Sequence, residues 1–235
     1  MTPSRAPRLQ APALLAALLA AIAACAPAAT PAAAPRAAAA TPASCPPVAP
    51  GTLVDVRSLA RSIRVEIHYA TPANFTGAPL PGYENPRALL RPEAAQALLR
   101  VHRRLGEEGY GIKVWDAYRP VRATRAMVEW AERTGNRWVL EQGYVAERSG
   151  HNRGGTVDVT LIRRRSGREA EMGTGYDYFS PAAHTANAGG QVQENRQRLV
   201  RAMEAEGFRN YDKEWWHFSY AGEWEPLDVP IACFR

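Results

Sequence analysis

The sequence predicts one domain of mixed α and β structure behind an export segment and a tether, and three observations predict it. Ile63, Val65, Ile67 and Tyr69 alternate with Arg64, Glu66 and His68, the period of a half-buried strand. Ala94, Leu98, Val101 and Leu105 recur at helical spacing. From Ala26 to about Pro50 the chain is almost all Ala, Pro and Thr, with too little bulky apolar surface to offset the entropy of ordering. Folded sequence therefore starts near Gly51 and leaves roughly 185 residues, enough for one core.

Residues 1–24 carry Arg5 and Arg8, no acidic residue, and then the run LLAALLAAIAA, the layout of a secretory signal. The run is short for a membrane span. It ends in Ile22-Ala23-Ala24-Cys25, which resembles a bacterial lipobox, so Cys25 is expected to carry lipid and begin the mature chain; ordinary cleavage, leaving a plain thiol, is the alternative. The organisation is thus a signal over 1–24, a tether over 25–50 and a domain over 51–235. The expected location is periplasmic, with membrane attachment only through Cys25.

Losing Arg5 and Arg8 takes the formal charge from +6 to +4. The basic cluster Arg163-Arg164-Arg165 and the arginines between Arg196 and Arg201 lack interleaved aromatics, and with an export signal they read as solvated surface rather than a nucleic-acid face. Besides Cys25 the chain has only Cys45 and Cys233, without a CxxC spacing. If the ends of the domain lie close together, a disulfide pins the tether to a C-terminal strand; two free thiols are the alternative.

Along the domain, the strand at 63–69 is followed by a helix over 92–105, with Pro92 in its first turn and Gly109 beyond its end. A strand over 111–118 leads to a helix that opens at Pro120, carries Met127, Trp130 and Ala131, and stops near Gly135. The strand over 156–162 sets Asp158 and Thr160 on one face and Val157, Val159 and Leu161 on the other. A helix over 191–206 ends at Gly207, and 215–220 is an aromatic-rich strand.

The stretch SGHNRGGTVD places His151 and Asp158 seven positions apart around a glycine pair. Glu214-Trp-Trp-His217 supplies a second imidazole and a spare carboxylate. Two imidazoles and a carboxylate are a ligand set for one catalytic zinc, and the remaining glutamate is the natural general base. One geometric condition applies. Residues three apart on a regular strand face opposite sides, so Glu214 and His217 share a cleft only if Glu214 lies in a turn or at a bulge.

The segments YATPANFTG, GYGIKVWDAYRPVRA, SGHNRGGTVDVTL, MGTGYDYF, HTANAG and NRQRLVRAMEAEGFRNYDKEWWHF, in that order, resemble the zinc D-alanyl-D-alanine dipeptidases of peptidase family M15. The resemblance implies an α+β fold, a small and mainly antiparallel sheet with packed helices, shared with zinc D,D-carboxypeptidases and the hedgehog signalling domain. It implies one zinc per chain on His151, Asp158 and His217, Glu214 as the base and Arg119 as the transition-state arginine. Asp177 would anchor the ammonium of D-Ala-D-Ala, and Ser149 and Tyr69 would line the pocket. Structural readings stand beside these: Asp158 as a strand-face carboxylate, Arg119 as a turn residue paired with a carboxylate, Asp177 as a cap. His68 and His102 read as structural, and His184 as a loop residue behind the site. The expected reaction is hydrolysis of D-Ala-D-Ala in cell-wall dipeptide turnover. Trimming of peptidoglycan stems is the runner-up, and a binding module without turnover comes third.

Overall fold

The computed structural model describes residues 45–234; the signal, Cys25 and the tether up to residue 44 lie outside the described residues. Five strands form the main sheet in the order β2 (Arg64–Val65), β4 (Tyr110–Asp116), β5 (Thr156–Arg163), β7 (Glu214–Tyr220) and β6 (Phe208–Tyr211). Only β2 and β4 run parallel; the other pairs are antiparallel. Beside it, β1 (Val54–Asp55) pairs with β3 (Leu89–Leu90), next to the short helix α1 (Val56–Leu59). Helices α2 (Pro92–Glu107) and α5 (Gly190–Glu204) pack together, α2 against β4 and α5 against β5, β6 and β7. Helices α3 (Val121–Arg133) and α4 (Trp138–Glu141) follow β4. The architecture is the expected α+β, mainly antiparallel one, and no helix among the described residues is long and apolar enough to cross a membrane.

The apolar stripe of α2 buries Ala94, Leu98, Val101 and Leu105, and the helix stops where Gly109 takes a φ of +81°. In β5 the apolar set Val157, Val159 and Leu161 is fully buried, but so are Asp158 and Thr160, because the opposite face is covered as well.

Three expectations need correction. The strand expected over 63–69 pairs only at Arg64–Val65; its alternation survives in burial, but the chain then leaves the sheet in a 3-10 turn, His68–Ala70, that carries Tyr69 into the core. The folded chain also begins before Gly51, since Cys45 is disulfide-bonded to Cys233 and Val48 packs on the core. Cys233 itself lies in a 3-10 turn, Ile231–Cys233, where a strand was expected.

Candidate active site

Three neighbouring strands place three polar side chains in one row. Asp116 of β4 opposes Asp158 of β5, and Asp158 opposes His217 of β7. Directly opposed residues present their side chains on the same face of a sheet, so the row converges by register alone. A bulge makes it possible: between the pairs Val114–Val159 and Asp116–Asp158, β4 advances two residues while β5 advances one. The extra residue, Trp115, moves Asp116 from the face of Val114 to that of Asp158.

The condition on Glu214 is met by a second irregularity. Asn210 opposes Phe218, yet its neighbour Tyr211 opposes Glu214, so three residues of β7 loop out against one step of β6. The Asn210 amide donates to the carbonyls of Glu214 at 3.1 Å and of His217 at 3.0 Å, which holds the distortion. Glu214 Oε2 thereby comes within 3.6 Å of His217 Nδ1.

His151 arrives from the turn before β5. Residues Gly150–Arg153 form a 3-10 turn with a capping box, in which Ser149 Oγ accepts from the His151 amide and Asn152 Oδ1 accepts from the Ser149 amide. The glycine pair ends this turn. Gly154 adopts a φ of +77°, and a Cβ on Gly155 would sit 2.5 Å from the Trp224 ring, so both positions resist a side chain. Asn152 also donates to the Arg119 carbonyl at 2.9 Å, and the Arg119 amide donates to the His151 carbonyl at 3.2 Å, which fastens the two segments together.

His151, Asp158 and His217 converge on one point. Asp158 Oδ1 lies 3.3 Å from His151 Nε2 and 3.0 Å from His217 Nδ1, and the two nitrogens are 3.4 Å apart. Tetrahedral zinc with ligands about 2.0–2.1 Å away requires ligand atoms spaced by about 3.3 Å. Asp158 Oδ1 is buried without a hydrogen-bond partner among the described residues, while Oδ2 accepts from Tyr176 Oη at 2.8 Å. His151 Nδ1 donates to the Ala117 carbonyl at 2.6 Å, which leaves the Nε2 lone pair aimed at the same point. The donor set fits a zinc ion.

Around this point lies a pocket of about 360 Å³, small for a ligand site, whose walls include Tyr69, Arg119, Ser149, Asp177 and Glu214. Arg119 is buried, with its guanidinium on Asp116 through Nε at 3.0 Å and one terminal nitrogen at 2.9 Å, and it stacks 5.0 Å above the Tyr69 ring. Asp177 has a φ of +56°, uncommon for a residue with a side chain, and accepts from Tyr69 Oη at 3.0 Å.

Burial and the nearby charges set the protonation of these groups. Burial, with the charges of Asp158 and Asp177, raises the Glu214 carboxyl well above its ordinary value. Burial and the charge of Asp158 do the same to Asp177, against Arg119 and the Tyr69 hydroxyl. Burial would raise Asp158 too, but the two imidazoles hold it well below the usual carboxylate range. Burial lowers His217 despite Asp158.

The structure thus brings together every residue singled out in the domain: His151, Asp158, His217, Glu214, Arg119, Asp177, Tyr69 and Ser149. His184 stands behind the wall, its Nε2 3.1 Å from Tyr144 Oη. His68 pairs with Glu66 at 3.2 Å, and His102 with Ser62 at 2.9 Å, both outside the pocket. Sequence reasoning missed Asp116, Tyr83 and Asn210. Asp116 is fully buried, accepts from Tyr83 Oη at 2.6 Å and lies 3.5 Å from His151 Nδ1. Its position three residues before Arg119 was its only signal.

The chain is similar to known proteins over the same region. The profile of the D-ala-D-ala dipeptidase family, Peptidase_M15, matches residues 50–235, which takes in the whole pocket. A D-alanyl-D-alanine dipeptidase of Enterococcus faecium is 36% identical over 191 residues, covering 74% of this chain and 95% of that protein. One of Streptomyces coelicolor is 36% identical over 200 residues, covering 77% and 99%. One of Escherichia coli is 31% identical over 186 residues, covering 77% and 92%.

Proposed function

This chain belongs to the D-Ala-D-Ala dipeptidase family of peptidases, and from that premise we propose that it hydrolyses D-Ala-D-Ala to two D-alanines with one zinc held by His151, Asp158 and His217. The observation that carries the reading is the 3.0–3.4 Å spacing of the three ligand atoms with the Glu214 carboxylate beside them. When bound there, zinc supplies Lewis-acid polarisation of the scissile carbonyl and acidifies the attacking water.

The protein's own groups do the rest. Glu214 takes the proton of the attacking water and returns it to the leaving amine; burial raises its basicity above that of an ordinary glutamate. Arg119, fixed by Asp116, offers its remaining N–H groups to the oxygen that gains negative charge. Asp177, steadied by the Tyr69 hydroxyl, receives the substrate ammonium. Ser149 holds the turn that presents His151 and lines the pocket beside it. A carboxylate that captures a free ammonium favours a dipeptide over a longer stem.

We further propose that the protein is exported and held at the membrane by lipid on Cys25, where it acts in turnover of cell-wall dipeptide; the motif is IAAC behind a basic, apolar leader. The test of the catalytic reading is hydrolysis of D-Ala-D-Ala by the purified protein, with metal content measured before and after chelation. About one zinc per chain, lost together with activity and restored with it, is expected. Full activity after complete removal of the metal would overturn it.

A further inference from the structure

The pocket leaves one end of a dipeptide without a partner. Its acidic lining residues are Asp158, Asp177 and Glu214, and its permanent cations are Arg119 and Arg148. D-Ala-D-Ala is a zwitterion, and the proposed roles account for its ammonium and its scissile carbonyl but not for its carboxylate. Arg119 is engaged at the scissile bond: Asp116 occupies Nε and one terminal nitrogen, and the N–H groups left over are those offered to the oxygen that gains negative charge. Arg148 is exposed, and no side chain among the described residues pairs with it. It stands three residues before His151, on a wall shared with a second cavity of about 280 Å³. Next to it, Ser149 Oγ accepts from the His151 amide, while its hydroxyl proton has no acceptor among the described residues.

From this we propose that Arg148 receives the C-terminal carboxylate of the substrate, with the Ser149 hydroxyl as second donor, and that the pair makes a free C-terminus a requirement. A guanidinium presents a planar fork that matches a carboxylate in two parallel hydrogen bonds. The neighbouring hydroxyl completes the set. With the ammonium at Asp177 and the carboxylate at Arg148, both charges of the zwitterion have a partner in the walls of the pocket that holds His151, Asp158 and His217. The inference rests on the peptidase reading only in requiring a substrate that ends in a free carboxylate.

The experiment compares D-Ala-D-Ala with its C-terminal amide, in the zinc-loaded parent, Arg148→Gln and Arg148→Lys. The parent should prefer the free acid, and Arg148→Gln should lower kcat/KM on it by about 10- to 100-fold, mainly through KM, so that the preference collapses. Arg148→Lys, which keeps the charge but not the fork, should recover part of it. An unchanged preference in Arg148→Gln would overturn the assignment. If the parent instead trims N-acylated D-Ala-D-Ala, the dipeptidase reading fails alone, because the acylated acid and amide pose the same question to Arg148. If it turns over neither, calorimetric binding of the acid and the amide decides: equal affinities in the parent overturn the proposal.

Discussion

Asp158 faces His217 directly across the β5–β7 pair, its Oδ1 3.0 Å from the imidazole Nδ1. That contact depends on a hairpin that departs from regular pairing, and Asn210 keeps the departure in place through the carbonyls of Glu214 and His217. Asn210→Ala leaves two half-buried carbonyls without their donor and frees both the base and a ligand to shift. Partners that orient metal ligands typically contribute about 10- to 100-fold to affinity or activity, and a loss of that size is expected here in zinc affinity, measured by competition with a chromogenic chelator. Unchanged affinity would show that β7 holds its shape without the amide.

Glu214 and His217 test different steps. Glu214→Gln keeps the shape of the side chain and removes the base, so kcat should fall by orders of magnitude while zinc content and dipeptide binding survive. His217→Ala should lose the metal. Near-parental turnover in Glu214→Gln would place the base elsewhere.

Much of this was legible in the sequence because the informative residues report local physics. The α2 stripe and the alternation of β5 follow from 3.6- and 2-residue periods, and Gly109 and Gly154 mark turns that need positive φ. The family motifs carried the assignment of Arg119 and Asp177. Asp116 was hidden because its role depends on the Trp115 bulge, and bulges arise from pairing with another strand. The same reasoning explains the short β2: with a single parallel partner, the alternation from Ile63 to Tyr69 specifies which side is buried but not how far the ladder runs.

His102 gives stability a pH dependence of its own. It is buried on α2, its Nδ1 accepts from the Ile112 amide at 3.4 Å, its Nε2 contacts Ser62 Oγ, and burial, helped by the charge of Arg164, lowers its pKa below the ordinary 6.5. The unfolded chain therefore takes up a proton first as pH falls. This contribution is fully present above pH 6.5 and is lost from there down to the depressed folded value. Chemical denaturation across that window should show the parent losing more stability than His102→Gln; parallel curves would contradict it.

Asp177 separates a dipeptidase from a trimming enzyme. A carboxylate facing an ammonium in an enclosed pocket contributes a charge-assisted hydrogen bond of about 1.5–3 kcal/mol, or about 10- to 100-fold in kcat/KM. Asp177→Asn should cost that much on D-Ala-D-Ala and little more on the N-acetylated dipeptide, which is already poor for the parent. The pH dependence carries the same signature. Burial and Asp158 raise the Asp177 carboxyl, so acidification protonates it at higher pH than an ordinary aspartate, and a neutral acid no longer attracts the ammonium. KM for the free dipeptide should rise as pH falls, and that rise should be missing in Asp177→Asn. Tyr69→Phe, which removes the 3.0 Å hydrogen bond that favours the charged form, should move the rise to higher pH. Equal cleavage of free and acetylated dipeptides by the parent would remove Asp177 from the ammonium site and leave its strained backbone at φ +56° without a binding role.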